Sequence, residues 1–80
     1  MKIIYSSKAR KQLTKIPKKE LKKIFPKIEK LSLDPMAGKY LKGEYGGFLS
    51  LRAWPYRIIY KIEDNTLTIF SIAHRQGVYK

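Results

Sequence analysis

The stretch "YRIIYKIEDNTLTIFSIAHR" (Tyr56–Arg75) decides the fold of this chain. Apolar and polar residues alternate on both sides of an Asp-Asn pair, the pattern of two half-buried strands joined by a tight turn. Tyr56–Ile62 reads as one strand, Leu67–Ala73 as the next, and Asp64–Asn65 as the turn. Two alignments are open. A two-residue turn with a regular ladder sets Arg57 across from Ile72 and sends Arg57 and Arg75 to opposite faces. One extra residue, in a three-residue loop or a bulge, sets Arg57 across from Ala73. Arg57, Lys61, Ser71 and Arg75 then share a face, and Ile58, Tyr60, Ile62, Phe70 and Ile72 share the other. A one-residue slip exchanges the faces completely. Only the second alignment yields a clean apolar face for a core with a cationic face behind it, so a three-residue or bulged connection is expected.

Upstream, "FLSLRA" (Phe48–Ala53) also alternates, which makes three consecutive strands and an antiparallel meander. "KYLKGEYGG" (Lys39–Gly47) reads as a loop and "LDPMAG" (Leu33–Gly38) as a turn. Before these the period lengthens. Leu21, Ile24, Phe25, Ile28 and Leu31 form a helical stripe over residues 18–33, with Pro26 opposite it and a kink or break expected there. A first helix runs from an N-cap at Ser6 or Ser7 to Ile16, with Ala9 and Leu13 on its apolar side, and Pro17 ends it. "KIIY" (Lys2–Tyr5) is a short strand. The expected architecture is α+β in the order β-α-α-β-β-β, a helical hairpin on a small antiparallel sheet, as one domain over residues 1–80.

Charge narrows the partner. The 80 residues hold 18 Lys+Arg against 6 Asp+Glu, a net charge of +12. This favours a polyanion: nucleic acid, an anionic membrane surface or an acidic protein. A thermophile's charged surface raises Glu together with Lys, and Glu is scarce here. Residues 1–42 carry 13 basic and 3 acidic side chains, yet Arg52, Arg57 and Arg75 all lie beyond them. Lysine supplies diffuse attraction, whereas arginine's planar fork suits a defined phosphate or carboxylate contact. Lys22, Lys23 and Lys27 on the second helix are therefore expected to steer RNA. No apolar run reaches the length of a membrane span, and the apolar stretch in "MKIIYSSKAR" is too short for a signal peptide. A cytoplasmic protein is expected. With no cysteine there is no disulfide framework.

In a meander the end of one strand lies beside the start of the next. Arg52, Arg57 and Arg75, with His74 and Tyr79, are expected at one end of the sheet. Each arginine alone is more often a snorkelling surface residue; three at one edge suit a phosphodiester. Arginine does not exchange protons near neutral pH, so it would bind phosphate and stabilise growing charge. Proton transfer falls to Tyr79 or His74, with Glu44 a weaker base. One histidine, no cysteine and scattered carboxylates make no metal-ligand set, and no cofactor is expected. Metal-free cleavage favours RNA, whose 2′-OH attacks its own phosphate.

These residues resemble a known family. "LKGEYGGFLSLRAWPYRIIYKIEDNTLTIFSIAHRQGVYK" resembles the C-terminal half of the RelE/ParE superfamily of toxins, nearest the RelE type, and "LTKIPKKELKKI" with "LSLDP" is similar to its helical hairpin. The resemblance implies a toxin of a toxin–antitoxin pair that cuts messenger RNA in the ribosomal A site. It further implies a RelB-like acidic antitoxin that silences it in a hetero-oligomer, the toxin alone being monomeric. By position it makes Arg57 a contact to the scissile phosphate and Arg75 the stabiliser of the transition state. Tyr79 becomes a catalytic or base-stacking residue, and Arg52 a supporting basic position; Lys61, on the expected Arg57 face, is a further candidate phosphate contact of this chain itself. The chain departs from the family at Phe48 and Ser50, where lysines are frequent, and His74 stands where a basic residue often sits and would take over proton transfer. Two alternatives stand beside this reading. One is a ParE-type toxin that poisons gyrase; the other is a non-catalytic RNA-binding module in which Phe48, Trp54 and Tyr56 stack bases.

Overall fold

A computed structural model describes residues 1–41 and 46–74. The elements are β1 (Lys2–Tyr5), α1 (Ser7–Lys15), α2 (Lys18–Leu33), β2 (Lys39–Tyr40), β3 (Phe48–Ala53), β4 (Tyr56–Glu63) and β5 (Thr66–His74). They form one five-stranded sheet in the order β1-β5-β4-β3-β2. The meander β3-β4-β5 is antiparallel as expected, and β1 adds to β5 in parallel. The sheet is thus mixed rather than purely antiparallel. The stretch expected to be loop also contributes β2, which pairs Lys39 with Ser50 and Tyr40 with Leu49 at the far edge.

Both helices cover one face. Ala9, Ile16, Ile24, Ile28 and Leu31 pack against Leu49, Ala53, Ile58, Tyr60, Leu67, Ile69 and Ile72 in a single buried cluster. The helical stripe is narrower than its spacing suggests, because Phe25 stays 41% exposed. Pro26 does not break α2, which is helical throughout. A proline inside a helix costs about 3 kcal/mol. Burying Ile24, Ile28 and Leu31 on the opposite flank returns roughly 1.5–3 kcal/mol each, so packing overrides local preference.

The β4–β5 register combines both alignments that the sequence left open. Asp64 and Asn65 make a two-residue turn, both with positive φ, 50° and 57°, the geometry that matches strand twist in a hairpin. From that turn the ladder is regular: Ile62 faces Leu67 and Tyr60 faces Ile69. A bulge then intervenes at Phe70, and beyond it Ile59 faces Ser71, Ile58 faces Ile72 and Arg57 faces Ala73. The bulged alternative therefore holds at the arginine end. Phe70 is the exception to the expected faces. It leaves the core side and is 41% exposed, because the extra residue sits at that point.

A bulge strands backbone polar groups, and two side chains satisfy them. The Ser6 hydroxyl donates to the Phe70 carbonyl at 2.6 Å, and the Gln12 amide oxygen accepts from the Ile72 N–H at 2.6 Å. Ser6 serves twice, since its oxygen also caps α1 by accepting from the Ala9 N–H at 3.0 Å. Its own N–H donates to the Ile69 carbonyl. The start of the first helix is thereby locked to the register of the last strand.

Removing the Gln12 acceptor should leave a buried donor unpaired and cost about 1–3 kcal/mol, and Ser6→Ala should cost about 1–2 kcal/mol. For a domain of this size each kcal/mol lowers Tm by roughly 4–8 °C. Thermal unfolding followed by circular dichroism checks this, and a Gln12→Ala protein as stable as its parent would refute the support assigned to the bulge.

Candidate functional site

Alternation along the strands sorts side chains between the helix-covered face and the open one. On the open face, Arg52 of β3 is the direct cross-strand partner of Arg57 of β4. Directly opposed residues hold their Cβ atoms about 4.5–5.5 Å apart, and like charges so placed destabilise a sheet. Core packing sets this register, because Leu51 and Ile58, the adjacent pair, face the helices. The sheet therefore holds two cations together against their repulsion. Beside them lies a cavity of about 510 Å³, lined by Lys39, Leu41, Ser50, Arg52 and Arg57 among others. Its outer wall is the segment 37–41, running into β2.

That wall is anchored from the opposite face. Tyr60 is fully buried, and its hydroxyl donates to the Pro35 carbonyl at 2.8 Å and accepts from the Gly38 N–H at 3.0 Å. A Cβ on Gly38 would lie 2.7 Å from the Tyr60 hydroxyl oxygen and 2.8 Å from the Ser50 carbonyl oxygen, so only glycine fits the approach. Burial, above all, raises the Tyr60 phenol above its ordinary pKa, and the Gly38 hydrogen bond offsets part of that rise. Nothing in the sequence alone marks Tyr60 as more than a core aromatic. The loop it holds becomes visible only when Pro35 and Gly38 are seen against it.

The predicted site residues divide between surfaces. Arg52, Arg57, Lys61 and Phe48 share the open face, with Phe48 the cross-strand partner of Lys61. Lys22, Lys23 and Lys27 lie exposed on α2, in the layer on the other side of the sheet. They do not join the arginines in one site. Lys23 also pairs with Glu20 at 3.7 Å. His74 is the cross-strand partner of Tyr56, and the two rings meet edge to face with centroids 5.4 Å apart. This register puts His74 on the helix-side face and Arg57 on the open one. The two residues share one end of the sheet, as expected, and the bulged register sets them on opposite faces there. Arg75, Tyr79 and Glu44 lie outside the described residues. Among those described, no three His, Asp or Glu side chains gather as a metal site, and no helix is long and apolar enough to cross a membrane.

Comparison with known proteins places this geometry in context. A family model, the ParE toxin of the type II toxin–antitoxin system parDE, matches residues 3–79. Toxin RelG of Mycobacterium tuberculosis is 32% identical over 80 residues, spanning 95% of this chain and 92% of that protein. The crystal structure of the toxin–antitoxin complex RelBE2 from Mycobacterium tuberculosis superposes with a TM-score of 0.84 at 32% identity, over 92% of this chain and 96% of that one. The YoeB/ParE toxin from Agrobacterium tumefaciens shares the fold, with a TM-score of 0.81 at 20% identity over 92% and 98% of the two chains.

The Tyr60 clamp has a pH signature. Its phenol holds its proton more tightly folded than unfolded. Its contribution is therefore complete below the unfolded value of about 10 and is lost as pH rises through the folded value. Tyr60→Phe should cost about 1–3 kcal/mol at neutral pH, with the Gly38 N–H left unpaired, and should show a shallower fall of stability above pH 10. Urea unfolding at neutral and alkaline pH reads both effects, and identical alkaline slopes would refute the assignment.

Proposed function

This chain belongs to the RelE/ParE superfamily of toxins of type II toxin–antitoxin systems, and we propose that it is a metal-independent endoribonuclease that cuts messenger RNA in the ribosomal A site and so stops translation. The observation that carries this reading is the Arg52–Arg57 pair, directly opposed across the β3–β4 ladder and lining one cavity. Two guanidinium groups offer parallel donors to the oxygens of one phosphate and stabilise the extra negative charge of the transition state. The 2′-oxygen bonds to phosphorus as the bond to the 5′-oxygen breaks. The 2′-OH proton passes to a base, and the leaving oxygen takes one up. The products are a 2′,3′-cyclic phosphate and a 5′-OH. Arg75 is the proposed transition-state stabiliser. The place of His74 on the other face favours Tyr79 over it as the proton-transferring group.

The same reading supplies the partners. RelBE2 is a toxin–antitoxin complex, and a net charge of +12 calls for an acidic antitoxin of the RelB kind, bound in a hetero-oligomer. The ribosome and its messenger RNA place the protein in the cytoplasm. A second reading, a gyrase-poisoning toxin that leaves RNA intact, is favoured by the ParE family model. The cleavage assay separates the two.

Arg57→Ala and Arg75→Ala should each lower cleavage of messenger RNA on translating ribosomes by about 100-fold or more and relieve growth inhibition, with circular dichroism unchanged. On short RNA, cleavage should survive EDTA. Intact RNA with inhibited gyrase supercoiling would instead establish the second reading, and full toxicity in both mutants would refute the arginine assignment.

The α2 lysines act at longer range. Replacing Lys22, Lys23 and Lys27 with glutamine should flatten the salt dependence of ribosome binding, each phosphate contact accounting for a log–log slope of about 0.7–0.9. An unchanged slope would mark them as a solvated face.

A further inference from the structure

The open face carries a second feature that phosphate binding does not use. Phe48 of β3 and Phe70 at the β5 bulge approach with ring centroids 5.2 Å apart and planes inclined at 53°. Each ring has its own cation. Lys61 Nζ lies 5.4 Å from the Phe48 centroid and Lys8 Nζ 5.8 Å from the Phe70 centroid. The bulge turns Phe70 outward, and the adjacent row adds Ile4, 40% exposed beside Thr68. Both helices pack on the other face of the sheet. Phe48 and Arg52 stand on one strand four residues apart, which is about 13 Å at the usual strand rise.

We propose that Phe48 and Phe70 form a nucleobase-stacking platform for single-stranded RNA, set along the open face from the Arg52–Arg57 phosphate site. The proposal rests on the ribonuclease reading and adds to it where the bases of the substrate lie. A purely apolar partner gains nothing from a lysine over each ring. Single-stranded RNA carries flat π-faces and phosphates in alternation and uses both. An exposed cation–π contact is worth about 0.5–1 kcal/mol, whereas stacking a base on an aromatic ring is worth about 1–3 kcal/mol. An incoming base therefore displaces the ammonium group from the ring; Lys8 then turns to a neighbouring phosphate, and Lys61, 3.8 Å from Glu63, exchanges that exposed carboxylate for one. Every base has a π-face, so the platform supplies affinity and orientation with little sequence preference.

The test compares two fluorescently labelled probes of equal length and charge, a short 2′-O-methyl oligoadenylate that resists cleavage and its counterpart with abasic spacers. The protein should bind the base-bearing probe at least about 10-fold more tightly. Phe48→Leu with Phe70→Leu should abolish that ratio while retaining affinity for the abasic probe. Arg52→Ala should weaken both probes by the same factor. Phe70→Trp, the second variant, made with Trp54→Phe so that position 70 holds the only indole, should keep the ratio, and its emission should be quenched by the base-bearing probe alone. An unchanged ratio in the leucine variant, or no quenching in the tryptophan variant, overturns the platform. Equal binding of both probes by the unaltered protein overturns the platform and spares the phosphate site. Binding of neither overturns the ribonuclease reading as well. Displacement of RNA by a polyglutamate peptide whose own binding depends on Phe48 and Phe70 would identify a peptide-docking face and overturn the proposal.

Discussion

One extra residue in β5 organises this molecule. At Phe70 the ladder with β4 slips by one, and the slip persists only because the Ser6 hydroxyl and the Gln12 amide take up the backbone groups that it strands. Without the bulge the two-residue turn at Asp64–Asn65 would set Arg57 across from Ile72, carrying an isoleucine to the open face. With it, Ile58 and Ile72 meet in the core and Arg57 stands over Ala73. Both supporting side chains belong to the N-terminal segment, so the start and middle of α1 hold the register of a strand 60 and 64 residues away in the chain. Local helix capping and long-range sheet geometry thus share one hydroxyl.

The bulge also separates two kinds of chemistry on one sheet. The helix-side face is closed by aliphatic packing, with the Tyr60 hydroxyl its best-anchored polar group, tied to Pro35 and Gly38. The open face collects cations and exposed rings: Arg52, Arg57 and Lys61, with Phe48 and Phe70 beside them. A fold selected for stability alone has no reason to oppose two arginines across a ladder. Stability is drawn mainly from the helix-covered face.

The positive charge works at two ranges. Lysines spread over α2 create a field that concentrates a polyanion near the protein, but they face away from the arginine pair. In the proposed function, guanidinium groups at short range then hold one phosphate in a fixed orientation. Toxin RelG and this chain share only 32% of their residues, and Phe48 and Phe70 are features that the geometry of this chain brings together. The side chains on the open face are a property of the individual sequence, whereas the sheet beneath them is a property of the fold.

Much of this was legible in the linear sequence. Period-two alternation fixes the three meander strands and period-3.6 spacing fixes the two helices, because each pattern reports a buried face that the element must satisfy wherever it packs. The excess of lysine and the late arginines point to a polyanion, since charge survives folding unchanged. What sequence could not decide was any feature that depends on pairing between distant segments. Two registers were open at Asp64–Asn65, and both occur, one on each side of a bulge that hydrogen bonds with residues 6 and 12 support. No local pattern singles out Gln12, and Phe70 reads as a core residue. Likewise β1 joins β5 in parallel and β2 appears within a loop because open sheet edges recruit strands, which no local pattern records. The sequence places His74 and Arg57 at one end of the sheet and leaves their faces to the register. Tertiary structure set them on opposite faces, because in a sheet the face of a residue is decided by parity, and parity beyond a bulge is a property of the ladder rather than of the strand.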